Sequence, residues 1–296
     1  MDEKDQGPAA GGGRSLPGHI AAALAGAGGD GDSAGQTWQG RDLAGEGNPL
    51  HQFDGDDGSV DTAYAEAMTA LRQRSGAEED IIRALSTARV FVPVVATAAE
   101  TVEGEHGVAA DKEADMALVT LKAPDGRMAL PVFTSVGTLQ NWHPEARPVA
   151  VFAPRAALSA VQEKAELLVV DPGAEVTFVV RRPAMWALAQ QREWTPSYRD
   201  EALTGHVLHF VEKEPNLVRV ALSPGSGVAT RDRSGTVVPG GGHGPELRLT
   251  AQFKAQTGSD EARGIVARLQ QHLSTTRAFA EAVDSLEIRL ESLPAS

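Results

Sequence analysis

The chain contains no cysteine. That absence removes disulfide staples, thiol nucleophiles and cysteine-ligated zinc together. Long apolar runs are missing as well: no stretch approaches the roughly 18 residues that a membrane-spanning helix requires. Basic charge is scarce, with 27 Lys and Arg against 40 Asp and Glu and a formal net charge of -13. Such an acidic surface repels phosphate backbones and anionic lipid, so neither nucleic acid nor a membrane is an expected partner. The opening residues Met1-Asp2-Glu3-Lys4-Asp5 are acidic and do not lead from a positive segment into a long apolar one. No secretory signal is read there, and a cytoplasmic protein is expected.

What is present is a sizeable core. Hydrophobic residues make up 42% of the 296 positions, and that length is a prior for about two domains. Residues 1–58 are rich in Gly, Ala and Asp, with few apolar residues and no period. Such a segment buries too little surface to offset its ordering entropy, so a disordered leader is expected. Two mixed α/β to α+β domains with flanking helices are expected after it, over 59–196 and 200–293. The Pro-containing segment Thr195–Asp200 forms the boundary between them.

The organising stretch is Asp115–Ser135. Two β-favouring runs, Met116–Lys122 and Met128–Phe133, flank Asp125-Gly126. An Asp-Gly pair between such runs predicts a hairpin closed by a type I′ turn, whose two central residues need positive φ.

Helices and strands are expected on both sides of this hairpin. Asp61 caps a helix with Tyr64, Ala67, Met68 and Leu71 on one face. Ser75 and Glu78 have the spacing of a capping box for the next helix. Arg89–Val95 is a strand, with a bulge or an edge expected at Pro93 because proline cannot donate to a ladder. Residues 97–114 form an acidic loop. Ser135 caps a helix over Val136–Trp142. Pro148–Ala153 and Leu167–Val170 are strands, and a helix between them carries Ala157, Leu158, Val161 and Ala165 as its stripe. Asp171-Pro172-Gly173 is a turn. Glu175–Val180 is a strand, and Pro183 opens a helix bearing Trp186. Beyond the boundary, His206–Val211, Val218–Leu222, Leu247–Phe253 and Leu286–Leu290 read as strands. A helix starts at Asp260, and a short one covers Ala278–Val283. Pro239–Gly244 reads as a flexible surface loop.

Candidate chemistry is thin. Asp54 to Ala65 fails as a calcium loop, because its fifth, sixth and twelfth positions are Gly58, Ser59 and Ala65. Phe133-Thr134-Ser135-Val136-Gly137 lacks the first glycine of a nucleophile elbow, and His143 is the one histidine nearby. Pro239–Gly244 is followed by no Lys-Ser or Lys-Thr pair, so it is not a P-loop. His206 and His209 on a strand point to opposite faces, a poor geometry for one metal. Trp142, Trp186 and Trp194 read as core or lid aromatics. A solvent-facing cluster of them would mark a groove for a ligand or partner. No cofactor is expected. The candidate ligand or partner surface is Phe133, Thr134, Ser135, Trp142 and Trp186.

The segment Met116–Ser135, with its D-G-R and L-P-V-F-T-S signatures, resembles the N-terminal domain of SseB-like proteins. Actinobacterial members are similar at Phe53–Ser59, Val92–Val95, Ala146–Val149, Val170–Gly173 and Trp186–Gln190. The likeness spans about residues 53–196, and the region after Asp200 resembles the SseB C-terminal domain. The family takes its name from an enhanced-serine-sensitivity phenotype in enterobacteria. It has no established catalytic residues to carry over. The same letters name a type III secretion translocator, but no long coiled coil or membrane-active helix is present here, which sets that role aside. The expectation is a non-catalytic binding or regulatory protein with a protein partner or self-association, possible through free strand edges. The alternative is a small-metabolite enzyme linked to amino acids, with its site near Thr134 and Ser135.

Overall fold

A computed structural model describes residues 53, 55–97 and 115–294. The expected leader lies outside the described residues, apart from Phe53 and 55–58. So does the acidic loop over 98–114. The architecture is mixed α/β, with several small sheets and packed helices.

Helix α1 spans Thr62–Arg72, and Asp61 caps it by accepting the Tyr64 N–H at 3.0 Å. Tyr64 and Leu71 face the core. Helix α2 spans Glu78–Leu85, and here the capping-box expectation fails. Arg74 takes a positive φ of 61°, and the Ser75 hydroxyl turns back to donate to the Ala70 carbonyl. The Ala77 N–H is instead satisfied by Asp80 at 2.9 Å. Glu78 is thereby released for a buried ion pair.

Strand β1, Arg89–Thr97, is the centre of an antiparallel sheet between β2, Asp115–Leu118, and β5, Arg147–Phe152. A second sheet has the order β3, Leu121–Lys122; β4, Met128–Val132; β6, Leu167–Val170; and β7, Phe178–Val180. Pro93 lies inside β1, opposite Pro148, with no register shift there. The N–H of Phe91 donates to Phe133 at the seam between the two sheets. By alternation, the missing Pro93 donor faces the β2 side, where pairing starts only at Val94. The expected bulge is therefore unnecessary.

The expected hairpin survives only in part. Its first run splits: Asp115–Leu118 pairs with β1, and Leu121–Lys122 alone pairs with β4. The turn is not type I′ either. The Gly126 N–H donates to Ala123 and the Ala123 N–H to Arg127, and Gly126 has φ 91° while Asp125 has no positive φ. Pro124 in second position favours a type I turn with a glycine bulge. The expected strand over Glu175–Val180 is likewise confined to β7.

Helix α3 spans Val136–Trp142, α4 spans Ala153–Gln162 and α5 spans Arg182–Ala189. The buried face of α4 is Ala153, Ala156, Ala157 and Ala160, while Leu158 points outward at 45% exposure. Small side chains let α4 pack closely on β1, β5 and α5, and they displace Leu158 from the expected stripe.

After a 3₁₀ turn at Ser197–Arg199 comes helix α6, Glu201–Val211, where a strand was expected. Asp200 caps it, and Leu203 and Val207 are buried one turn apart. The second core lies under a sheet of β8, Leu217–Pro224; β11, Leu247–Phe253; and β12, Leu286–Ser292. Strand β11 is central, antiparallel to β8 and parallel to β12. Helices α7, Ser259–Thr275, and α8, Arg277–Ala282, make the crossover that a parallel pair needs.

Between β8 and β11 a hairpin of β9, Ala229–Arg231, and β10, Val237–Gly241, reaches across to the first core. Val238 is buried there, and β10 lies against α1 and β7. The stretch read as a flexible loop is thus strand and tightly packed turn. A Cβ on Gly241, whose φ is 68°, would sit 2.4 Å from the Phe178 ring. One on Gly242 would sit 2.2 Å from the Gly227 carbonyl oxygen. Close backbone approach, not flexibility, accounts for these glycines.

Candidate functional site

Strands β4 and β6 run parallel, and the chain leaves both at the same end. Carboxyl ends of parallel strands are where α/β sheets usually place polar function. Here β4 passes through Phe133-Thr134-Ser135 into α3, and β6 passes into Asp171-Pro172-Gly173. The Asp171 N–H donates to the Val132 carbonyl at 2.8 Å, and its φ is 51°.

The Asp171 carboxylate organises this corner. One oxygen accepts the Thr134 N–H at 2.8 Å and the Thr138 hydroxyl at 3.0 Å; the other accepts the Thr134 hydroxyl at 2.6 Å. Burial pushes the Asp171 pKa up, although these hydrogen bonds pull the other way. Ser135 Oγ accepts the Thr138 N–H at 3.1 Å and lies 3.1 Å from the Thr138 hydroxyl. Those are its hydrogen-bond partners, so the hydroxyl caps α3 and is not paired with an imidazole. Phe133 is fully buried and Thr134 is only 3% exposed. Trp142 tilts against Phe133 at 5.2 Å between centroids, and a Cβ on Gly173 would meet its ring at 3.6 Å. His143 lies 5.8 Å from Trp142, and its Nδ1 is buried without a partner.

Arg89 ties the corner to the acidic turn. It forms a fork on Asp56 and donates to the carbonyls of Thr134, at 2.7 Å, and Ser59, at 2.6 Å. Its guanidinium also stacks 4.2 Å over Phe91. The hydrogen bond from Arg89 holds the Asp56 carboxyl below its usual pKa. The Val136 N–H donates to the Gly58 carbonyl. The acidic turn is therefore a clamp on the start of α3.

Of the five residues expected at a surface, the fold brings together Phe133, Thr134, Ser135 and Trp142. Trp186 stands apart on the outer face of α5, 49% exposed.

Open space lies elsewhere. One cleft of about 510 Å³ opens between α2 and the segment following α5, with Glu79, Ile82, Arg83 and Trp194 in its wall. A second, of about 490 Å³, is lined by Phe152, Pro154, Leu158 and Ala189. Ser86, Thr87 and Gln191 belong to both, so the two form one continuous groove. Trp194 Nε1 and Glu79 Oε2 are buried beside it without partners. The sequence named Trp194 as a core or lid aromatic, but Gln191, with φ 53°, carried no signal.

Residues 65–187 match the SseB protein N-terminal domain family. No curated protein matches the chain. The SseB match runs from α1 into α5, so it includes the Asp171 corner, the second cleft's Leu158 and the exposed Trp186. Trp194 and the β8–β11–β12 sheet fall outside it.

A buried polar cluster joins the SseB-matching span to the C-terminal part of the chain. Arg181 Nη1 lies 3.4 Å from Glu78 Oε1, and its other terminal nitrogen donates to the Gly227 carbonyl at 3.0 Å. Glu78 also accepts the Gly241 N–H at 2.7 Å and the Tyr198 hydroxyl at 2.9 Å. Burial and Glu78 raise the Tyr198 pKa. Glu246 accepts the N–H groups of Ser197 and Asp284 beside this cluster, and burial raises its pKa. None of these partners is close in sequence, so no local pattern reveals them. Among the described residues, no three His, Asp or Glu side chains converge as a metal set, and no helix is long and apolar enough to cross a membrane.

Proposed function

We propose that this chain is a non-catalytic binding or regulatory protein of the cytoplasm, acting on another protein through the groove beside α2, α4 and α5. One observation carries the reading. The hydroxyls best placed for chemistry are committed to folding, Ser135 as a cap and Thr134 to Asp171. A nucleophile needs a base within hydrogen-bond reach, and the Ser135 hydroxyl has Thr138 instead. An open groove with half-exposed Leu158 beside it, and Trp186 on the same helix as Leu188 and Ala189, is better suited to holding a partner. The acidic net charge of -13 disfavours nucleic acid as that partner. The part after Asp200 serves, in this reading, as an actinobacterial-type SseB C-terminal domain.

The test compares quantitative capture from a native extract by the unaltered chain, Leu158→Arg, Trp186→Ala and Ser135→Ala. The proteins retained by the unaltered chain should be lost with Leu158→Arg and Trp186→Ala, and kept with Ser135→Ala. Loss with Ser135→Ala alone, in a variant whose circular dichroism is unchanged, would reverse the assignment.

A further inference from the structure

We propose that the outer edge of β12 pairs antiparallel with β12 of a second copy of this chain, about a two-fold axis at Ile288. The β8–β11–β12 sheets of the two copies then join into one, with the two β12 strands at its centre. Among the described residues, β12 pairs with β11 alone. That ladder fixes where its other backbone groups point. The Leu247 N–H donates to the Ser285 carbonyl, and the Leu293 N–H donates to the Phe253 carbonyl. By alternation, Glu287, Arg289 and Glu291 turn their N–H and C=O toward β11, while Leu286, Ile288, Leu290 and Ser292 turn theirs outward. Strand β12 is seven residues long, without proline or register shift. Other sheet edges among the described residues are blunted in the ways that discourage pairing. Strands β2, β3, β7 and β9 are no longer than four residues. Strand β5 turns Pro148 outward, β8 bulges at Val218 and ends at Pro224, and β10 holds Pro239 and a register shift.

The sequence of β12 is complementary to itself. A two-fold axis at Ile288 sets Leu286 opposite Leu290 of the second copy and Glu287 opposite its Arg289, and both pairs recur across the axis. The backbone parity agrees. Leu286, Ile288 and Leu290 are the outward-bonding residues, so they form the hydrogen-bonded pairs. Glu287 and Arg289 fall at the closer, non-hydrogen-bonded positions, where opposite charges attract. Leu286 and Ile288 already pack on the second core, and the half-exposed Leu290 beside them would be covered by Leu286 of the copy. Other axes fit worse. One at Arg289 sets that arginine against itself and Glu287 against Glu291. One at Leu290 sets Leu286 against Pro294, which has no N–H to give. This match of order, charge and parity favours a second copy over an unrelated strand. The contact uses no residue of the groove beside α2, so it stands or falls apart from the function proposed above.

Light scattering on the full-length chain at about 100 μM, enough to populate a weak contact, should return twice the 31.0 kDa chain mass. Leu290→Pro removes an outward N–H and keeps the bonds to β11. Arg289→Glu sets like charges opposite each other on both sides of the axis. Both variants should return the single-chain mass with unchanged circular dichroism, and Leu158→Arg should stay dimeric. The absence of cysteine lets the register be read as well. Ile288→Cys puts the two thiols on the axis, with Cα atoms about 5.5 Å apart and within disulfide reach. In Leu290→Cys the two Cα atoms are roughly 14 Å apart. Under copper phenanthroline, the Ile288→Cys chain should form disulfide-linked dimer about tenfold faster or more than the Leu290→Cys chain. A monomeric native chain would overturn the proposal. So would a dimer that survives both Leu290→Pro and Arg289→Glu, or cross-linking no faster in Ile288→Cys than in Leu290→Cys.

Discussion

Asp171 holds a carboxylate in a site only 7% exposed, against three donors and with burial raising its pKa. The folded chain therefore binds this proton more readily than the unfolded chain does. The stability linked to it is fully present below the unfolded value of 3.8 and is lost as pH rises through the raised native value. Asparagine fits the same place. Its oxygen can accept the Thr134 N–H, its amide can donate to the Thr134 hydroxyl, and it tolerates a positive φ. The stability of the native chain relative to Asp171→Asn should therefore fall as pH rises from about 3 to about 7. Urea midpoints across that range measure it, and parallel curves would show that Asp171 titrates as if unburied. The turn at Asp171-Pro172-Gly173 was legible because turn chemistry is local. Its bond to Thr134 was not, because 37 residues separate the two. Glu78 was misread for the same reason: its spacing to Ser75 fits a cap, but partners 103 to 163 residues away claim it.

Elements were legible where one period dominated. Strand β11 alternates buried and half-buried over its whole length, as its sequence requires. The stretch His206–Val211 carries both periods at once. Read by twos it is a strand, but Leu203 and Val207, with Asp200 as cap, set a helical period that begins outside it. The hairpin at Asp125-Gly126 shows the opposite limit. The corner was legible, but how far its arms pair depended on β1 taking Asp115–Leu118. Helix α3 is the clearest case of local code deciding an element. It is seven residues long, too short to persist alone, so its cap matters. Ser135→Ala should lower stability by about 1 kcal/mol and speed hydrogen exchange at the Thr138 amide. An unchanged denaturation midpoint with unchanged exchange would remove the cap from the account.

At the scale of the whole molecule, two buried cores are coupled by apolar, hydrogen-bonded and ionic contacts, and nothing local in the sequence announces them. Val238 crosses to the first core, Arg127 reaches Asp284 at 2.8 Å, and Arg182 donates to the Ala280 and Val283 carbonyls. The deepest tie is Glu78 with Arg181, both 2% exposed. Removing one charge of such a pair leaves the other buried without compensation, a loss of about 3 kcal/mol. Exposed pairs such as Arg277 with Glu281 contribute far less. The tryptophans allow the coupling to be read directly. Trp194 packs against the first core and Trp142 against Phe133, and no tryptophan follows Trp194 in the sequence, so the fluorescence of these two reports on the part before residue 196 while circular dichroism reports on both cores. In the native chain the two signals should change together in urea, as coupled cores unfold in one step. In Glu78→Gln the tie of the first core to Arg181, Tyr198 and the Gly241 backbone weakens. The circular dichroism transition should then begin at lower urea than the fluorescence transition, as the β8–β11–β12 part is released first. Coincident transitions in the variant, at whatever midpoint, would mean that the cores are joined by the apolar contacts of β10 and not by this ion pair.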